Sequence, residues 1–452
     1  MKTFLIFAVS GVFVLTLLNP FWVLPVFIFG HFFQPVQFFP ALREYNPSIM
    51  IGSAVLVAWI MNMMFTGNIT PARNKQVVLV ILFIMQIFIS SALGPLSSFS
   101  HVSYLMASII PFFILVYMVQ TRKQLIVIIF VLLLMGTIAA LYGIYCVKAN
   151  IGIRDRGMVR IVSFMSNPNA FGHTMVILIP IALSLMLVSF HKAYRLGLCF
   201  LAALFVLAAM TSGSRNVFFP MVFFLLFTPA IYHRGNKKIM AFVLTILMLP
   251  IGYCALPDSV KWRYTNRITN LFEAESLEEI DEGRVETAKA GWKMMFKHPL
   301  LGVGIGGFGY EYARIAQYSE DIDLVKSRYG DRGLNAHNAY VEVGGQLGVL
   351  GLLIYLSIVI TAYKDAKRSE MIFYQAGDDT LRSIAVSLRI CIIGSMMIGM
   401  FNRLLHDNMF WIIIALTVVI NRLAVEQISP LNTQTGEQAV EQNSPFMQRV
   451  EK

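Results

Sequence analysis

The sequence predicts an all-α integral membrane protein of about twelve transmembrane helices with one long extracytoplasmic loop that carries amphipathic helices. Three observations lead there. Of 452 residues, 57% are hydrophobic and only 13% charged, above the roughly 50% apolar content of ordinary soluble domains. The apolar residues come in runs of roughly 17–25, the length that crosses a hydrocarbon core of about 30 Å. Lysine and arginine recur in every second short connection between those runs.

The candidate spans are 3–18 with 20–38, then 48–66, 76–94, 102–119, 124–146, 168–189, 195–210, 216–232, 239–256, 338–362, 383–402 and 408–424. Pro20, Pro25 and Pro35 interrupt the first pair, which reads as one full helix plus a broken one. The net charge is +11. In a soluble protein that would point to nucleic acid; here cytoplasmic loops rich in Lys and Arg account for it, and no nucleic-acid partner is expected. The four cysteines, Cys146, Cys199, Cys254 and Cys391, lie in or beside apolar segments without a CxxC pair and read as small packing residues.

Orientation follows from the basic loops. Arg73 and Lys75, Arg122 and Lys123, Lys192 and Arg195, Arg234 with Lys237 and Lys238, then Lys364, Lys367, Arg368 and Arg382 share one face. The positive-inside rule makes it cytoplasmic. The other face receives the 147–167 loop, the Thr211–Arg215 turn, the 257–337 segment and the 402–408 turn. Residues 1–424 thus read as one polytopic domain and 425–452 as a polar cytoplasmic tail, expected to be disordered.

The long loop holds about 80 residues, far more than an ordinary connection. It contains Trp262, Arg263, Tyr264 and Arg267, an acidic stretch from Glu273 to Glu282, and a helical pattern from Arg284 to Lys297 stopped by Pro299. Arg284, Ala288, Gly291 and Met295 share one stripe of that helix, where small neighbours leave the guanidinium accessible; a helix lying on the bilayer, with Trp292, Met295 and Phe296 dipping in, fits the same pattern. Gly302–Gly307 matches GxGxxG, but no strand or βαβ unit surrounds it, so it reads as a turn that lets backbone approach another element. Asp321 and Asp323 imitate a metal-binding DxD pair but sit in an acidic loop, where a solvated face is the plainer reading; no metal and no cofactor are expected.

Chemistry-bearing residues collect on the outer face. Arg215 stands alone at a helix start, Arg154, Arg156 and Arg160 crowd the 147–167 loop, and Arg403 lies in the last outer turn. Cations there run against the positive-inside trend. One alone could contact a phospholipid headgroup, but the set suggests a membrane-bound anion, since guanidinium matches phosphate oxygens bidentately. Of eight histidines, His101, His298, His337, His406 and His173 can face that side. His337 ends the largest loop against the bilayer, beside Asn338 and near Glu342, and a neutral imidazole can accept a proton from a hydroxyl.

Four segments in order, NPNAFG at Asn167–Gly172, TSGSRN at Thr211–Asn216, the Gly283–Gly309 stretch, and LNAHNAYVEVGGQLGVLGLL at Leu334–Leu353, resemble the O-antigen ligase and O-antigen polymerase superfamily. The likeness is strong over about residues 160–365 and elsewhere extends to topology alone. It implies a bacterial inner-membrane glycosyltransferase of surface polysaccharide biosynthesis that works without a metal. The donor would be a glycan on undecaprenyl diphosphate, and the acceptor a hydroxyl of a lipid A core, another glycan or a protein. It implies diphosphate binding by Arg215 and Arg284 and acceptor activation by His337. Arg154, Arg156, Arg160, Asn338, Arg403 and His406 are further candidate contacts. Asn216 stands where many relatives carry a small residue. A transporter or flippase of lipid-linked glycans is the alternative, but such proteins show internal repeats and midplane charges, and Arg389 is the main charge inside a span.

The orientation predicts that Ser319→Cys reacts with an impermeant thiol reagent in intact cells. Labelling only after the inner membrane is permeabilised would invert the topology.

Overall fold

The computed structural model describes residues 2–18, 20–33, 47–66, 74–96, 99–155, 158–165, 167–189, 191–232, 261, 265, 284–316 and 336–442. Among the described residues the regular structure is helical apart from one small hairpin. Helices α1 (Lys2–Leu18), α2 (Pro20–Phe32) and α3 (Pro47–Thr66) come first, followed by α4 (Lys75–Leu93), α5 (Phe99–Met118) and α6 (Arg122–Lys148). Strands β1 (Ile153–Asp155) and β2 (Met158–Arg160) pair antiparallel, with Ile153 opposite Arg160. Then come α7 (Pro168–Val188), α8 (Lys192–Thr211), α9 (Arg215–Tyr232), α10 (Arg284–Lys297), α11 (Phe308–Ala316), α12 (Ala339–Gln375), α13 (Asp379–Gly399) and α14 (Asn408–Gln442).

Among the described residues, eight helices are long and apolar enough to cross a membrane: α4 to α8 and α12 to α14. Shorter apolar stretches, Phe21–Gly30, Met50–Met61 and Asn216–Ile231, lie in α2, α3 and α9, where crossings were expected. The expected span 239–256 lies outside the described residues, as do the acidic stretch and Asp321 with Asp323. Tyr232 and Arg284 end up at opposite ends of the bundle: α9 runs antiparallel to α13 from Asn216 beside Phe401 to Phe224 against Gly394, whereas α10 packs beside the start of α12.

One end of the bundle is basic. Arg122 bonds Asp378 across 2.9 Å, Arg195 Nη2 donates to Ser189 O at 2.8 Å, and Arg382 lies 4.5 Å above the Tyr374 ring. Arg422 donates to the C-terminal carbonyls of α5, Val116 O at 2.9 Å and Val119 O, where a cation also meets the negative end of the helix dipole. Arg389, the charge inside a span, pairs with Glu370 at 2.8 Å. Local capping sets several of these starts: Asn74 accepts from Gln76 N, and Thr121 forms a capping box with Gln124. The short connections at the other end, including the Ser212–Ser214 and Met400–Asp407 turns, bring α7, α9, α12, α13 and α14 together.

Helix α12 is broken at Gly348, with φ 73° and ψ −174°. The break withdraws Val349 N and the carbonyls of Gly345, Gln346 and Leu347 from the normal ladder. In apolar surroundings each unmatched group would cost several kcal/mol, and each finds a partner. Val349 N donates to Pro299 O at 2.7 Å; Val303 N and Gly304 N donate to Gly345 O at 2.9 Å and Gln346 O at 3.0 Å. Gln86 Nε2, from α4, reaches Leu347 O at 2.9 Å and Leu300 O at 2.8 Å. Ser90 Oγ donates toward Gln346 O at 2.9 Å and Leu301 O at 2.5 Å.

The Gly302–Gly307 segment is therefore a close-approach turn, as its sequence suggests. Gly302, at φ 66°, lies on the Gln346 carbonyl, and a Cβ on Gly306 would come within 2.6 Å of the His101 ring. Helix α10 forms over the expected Arg284–Lys297, but its small stripe is a packing surface: Gly291 meets Val341 and Phe308, and Gly344 receives Met295. Met295 thus faces protein, while Trp292 and Phe296 stay exposed at 43% and 70%.

Gly348→Ala should melt well below wild type in detergent. Its backbone lies in a region nearly exclusive to glycine, a strain of about 1–3 kcal/mol for other residues, and the new Cβ would fall 2.5 Å from Pro299 O. Gly197, with nothing within 4 Å of an added Cβ, is the control: Gly197→Ala should be neutral or stabilising by up to about 1 kcal/mol. Equal melting of both variants would contradict the docked break.

Candidate active site at the end opposite the basic loops

The first turn of α12 organises this end. Asn338 is its N-cap: Oδ1 accepts from Tyr340 N at 3.0 Å and Val341 N at 3.1 Å. Its side chain is thereby engaged in the helix start. His337, just before it, has φ 45°, an uncommon conformation outside glycine in which histidine is enriched. The residue is half-buried, next to Ala336, which packs with Ala290 and Met294 of α10. His337 therefore sits beside the helix that Arg284 opens.

One turn further in, Glu342 is 1% exposed and meets Arg403 from the Met400–Asp407 turn. Arg403 Nε donates to Glu342 Oε1 at 2.7 Å, and Nη2 bonds the same oxygen. Gln346 Nε2 donates to Oε1 at 3.2 Å, and Gln346 Oε1 accepts from Gly306 N at 2.9 Å. A single carboxylate thus joins α12, the Gly-rich turn and the Arg403 turn. A proton-accepting role for Glu342 is disfavoured by these charge-assisted bonds.

His406 follows on the same turn, held by its carbonyl, which accepts from Ser108 Oγ at 3.4 Å. Burial drives its pKa down to about 4; Arg403 and His101 push the same way, against the upward pull of Glu342. The imidazole is therefore neutral near pH 7. Asp407 caps α14, accepting from Met409 N at 2.8 Å and Phe410 N at 3.3 Å, and its other oxygen bonds His173 Nδ1. Burial alone would raise the Asp407 pKa, but His173 and the two backbone donors outweigh it and hold the pKa below the ordinary carboxylate value.

The remaining candidates surround this turn. Arg215 is the first residue of α9, and the neighbouring Asn216 Nδ2 donates to Phe401 O at 2.7 Å. Asn216 thus ties the Arg215 helix to the Arg403 turn, a structural use for this side chain. Arg160, on β2, donates through Nη2 to Asn169 Oδ1 at 2.8 Å. Arg154 lies on β1 opposite Val159, and Arg156 is outside the described residues. The end of the bundle therefore gathers Arg215, Arg284, His337, Arg403 and His406 on adjacent helix starts and turns.

Two pairs escaped the sequence reading: His173 with Asp407, and Glu342 with Arg403. Partners 234 and 61 positions apart leave no local trace. Asp407 alone carried a signal, as an acidic residue directly before an apolar run, the usual place of an N-cap.

Residues 200–356 match the family model described as O-antigen ligase, which supports the superfamily resemblance. The matched stretch includes Arg215, Arg284, His337 and Glu342 and stops short of Arg403 and His406. No curated protein matches the chain.

His406 binds protons more readily unfolded, near its ordinary 6.5, than folded, near 4. Stability should therefore fall as pH drops from about 6.5 toward 4. His406→Gln should flatten that part of the melting-temperature profile; a slope unchanged by the substitution would assign it to other groups.

Proposed function

We propose that this chain transfers a glycan from undecaprenyl diphosphate to an acceptor hydroxyl, on the extracytoplasmic face of a bacterial inner membrane and without a metal. The chemistry needs two devices. An acceptor oxygen attacks the anomeric carbon as the bond to the diphosphate breaks; its proton must go to a base, and the diphosphate leaves with the electron pair and growing negative charge. His337 serves as the base. Arg215 and Arg284 neutralise the leaving group, a task for which fixed guanidinium groups in a water-poor site suit well.

The single observation that supports this reading most is the family match over 200–356, which contains all three residues in the order the resemblance implies. The geometry agrees with it: the helix starts that bear Arg215 and Arg284 lie at the same end as His337. The basic opposite end fits a cytoplasmic assignment, and a lipid-linked donor explains a site level with helix ends. Three acceptor classes fit: a lipid A core, a second lipid-linked glycan, or a protein hydroxyl. The product would belong to lipopolysaccharide O-antigen or exopolysaccharide. The transporter or flippase reading is the alternative; Arg389, the main charge inside a span, is paired with Glu370.

Purified protein, given a lipid-linked donor and acceptor in EDTA, should separate the roles. His337→Ala should abolish transfer while sparing donor binding. Arg215→Ala and Arg284→Ala should weaken binding and slow transfer, by roughly one to two decades each, the value of a charge-assisted contact of about 1.5–3 kcal/mol. Arg→Lys should rescue only in part. Wild-type transfer by His337→Ala would move the base elsewhere.

A further inference from the structure

Glu342 and Arg403 form an ion pair that stability alone explains poorly. A buried pair recovers little more than its desolvation cost, and apolar substitutes of similar volume commonly do as well. Here the carboxylate is 1% exposed and the Arg403 side chain 29%. The acid is enclosed, while the cation reaches the rim. Its two contacts with Glu342 go to one oxygen, through Nε and Nη2, so the carboxylate grips one edge of the guanidinium.

The pair also lies between the proposed chemical groups. Arg403 follows Phe401, whose carbonyl holds Asn216 beside Arg215, and Glu342 is five residues beyond His337 in the chain. Gln346 ties Glu342 to the Gly-rich turn through Gly306 N. The carboxylate is thereby held by Gln346 as well as by Arg403, which is how a second residue holds a functional side chain in one geometry.

We propose that Arg403 is a further cation contacting the donor diphosphate and that Glu342 is its positioning residue; this deepens, and rests on, the glycan-transfer reading. The diphosphate carries more charge in the transition state than in the bound donor, so a third guanidinium contributes more to transfer than to ground-state binding. Glu342 acts only by orienting that guanidinium.

The test is a double-mutant cycle on purified full-length protein, with single-turnover transfer, and with undecaprenyl diphosphate as the probe of donor-site binding. Arg403→Gln should slow transfer about 10- to 100-fold, the loss of one charge-assisted contact. It should also reduce the stabilisation of the protein by undecaprenyl diphosphate while leaving the acceptor KM unchanged. Glu342→Gln should slow transfer less, and Glu342→Asp should restore part of it. The neutral pair Glu342→Gln with Arg403→Gln, which removes both charges of the ion pair together, should fold and should transfer within about threefold of Arg403→Gln alone, because coupled residues are not additive. Multiplied effects in the double variant would overturn the positioning role. Wild-type transfer by Arg403→Gln would overturn the contact. If the wild type neither transfers glycan nor is stabilised by undecaprenyl diphosphate, the glycan-transfer reading falls instead.

Discussion

At Gly348 a φ of 73° interrupts the ladder of α12 inside the bundle, and the backbone groups it releases have no water to turn to. Irregular backbone at such depth survives only where protein covers and matches it. Residues 299–304 supply that match from one side, with Gln86 and Ser90 of α4 from the other. Three chain segments far apart in sequence are locked by one defect. The glycines of the turn are there for contact: Gly94 and Gly304, like Gly302 and Gln346, meet backbone to backbone.

The docked turn sets the positions of everything above it. It anchors the C-terminal end of α10, so Arg284 at the other end is carried to a fixed height on the helix that packs against the start of α12. It supplies Gly306 N to Gln346, which orients Glu342 and so Arg403. Asn216 and Asp407 do the same from the other side, joining α9 and α7 to the Met400–Asp407 turn. A site built on helix starts and short turns is stiffer than one on long loops, and it lets a strained residue such as His337, at φ 45°, be held by its surroundings.

The electrostatic plan of the molecule is divided by end. At the basic end the cations are answered by Asp378, Glu370 or helix carbonyls. At the other end the acidic partners are turned inward, Glu342 buried and Asp407 largely so, while the arginines stand at helix starts and turns. A lipid-linked anion approaching from the bilayer would meet the cations first. Fixed guanidinium groups need no reorganisation when charge grows on a leaving diphosphate, which is the main advantage an enclosed site has over water.

The sequence by itself determined the membrane class, the alternation of basic connections, the Arg284–Lys297 helix and the role of the Gly-rich turn as a close approach. Each depends on composition, run length or local steric demand, which neighbouring residues carry among themselves. It also marked Arg215, Arg284 and His337, through motifs in a fixed order. Only the tertiary structure decided that Met295 packs on Gly344, that Asn338 is engaged as a helix cap, and that Arg403 belongs to Glu342 and His173 to Asp407. Those facts concern which buried groups satisfy one another, and a helix face shows its own apolar period but not the identity of the helix that will cover it. The break at Gly348 lies between the two cases. The glycine is visible in the chain, but whether it continues the helix or ends it depends on partners waiting for the released backbone, and those are supplied about 45 residues earlier and, from α4, roughly 260 residues earlier.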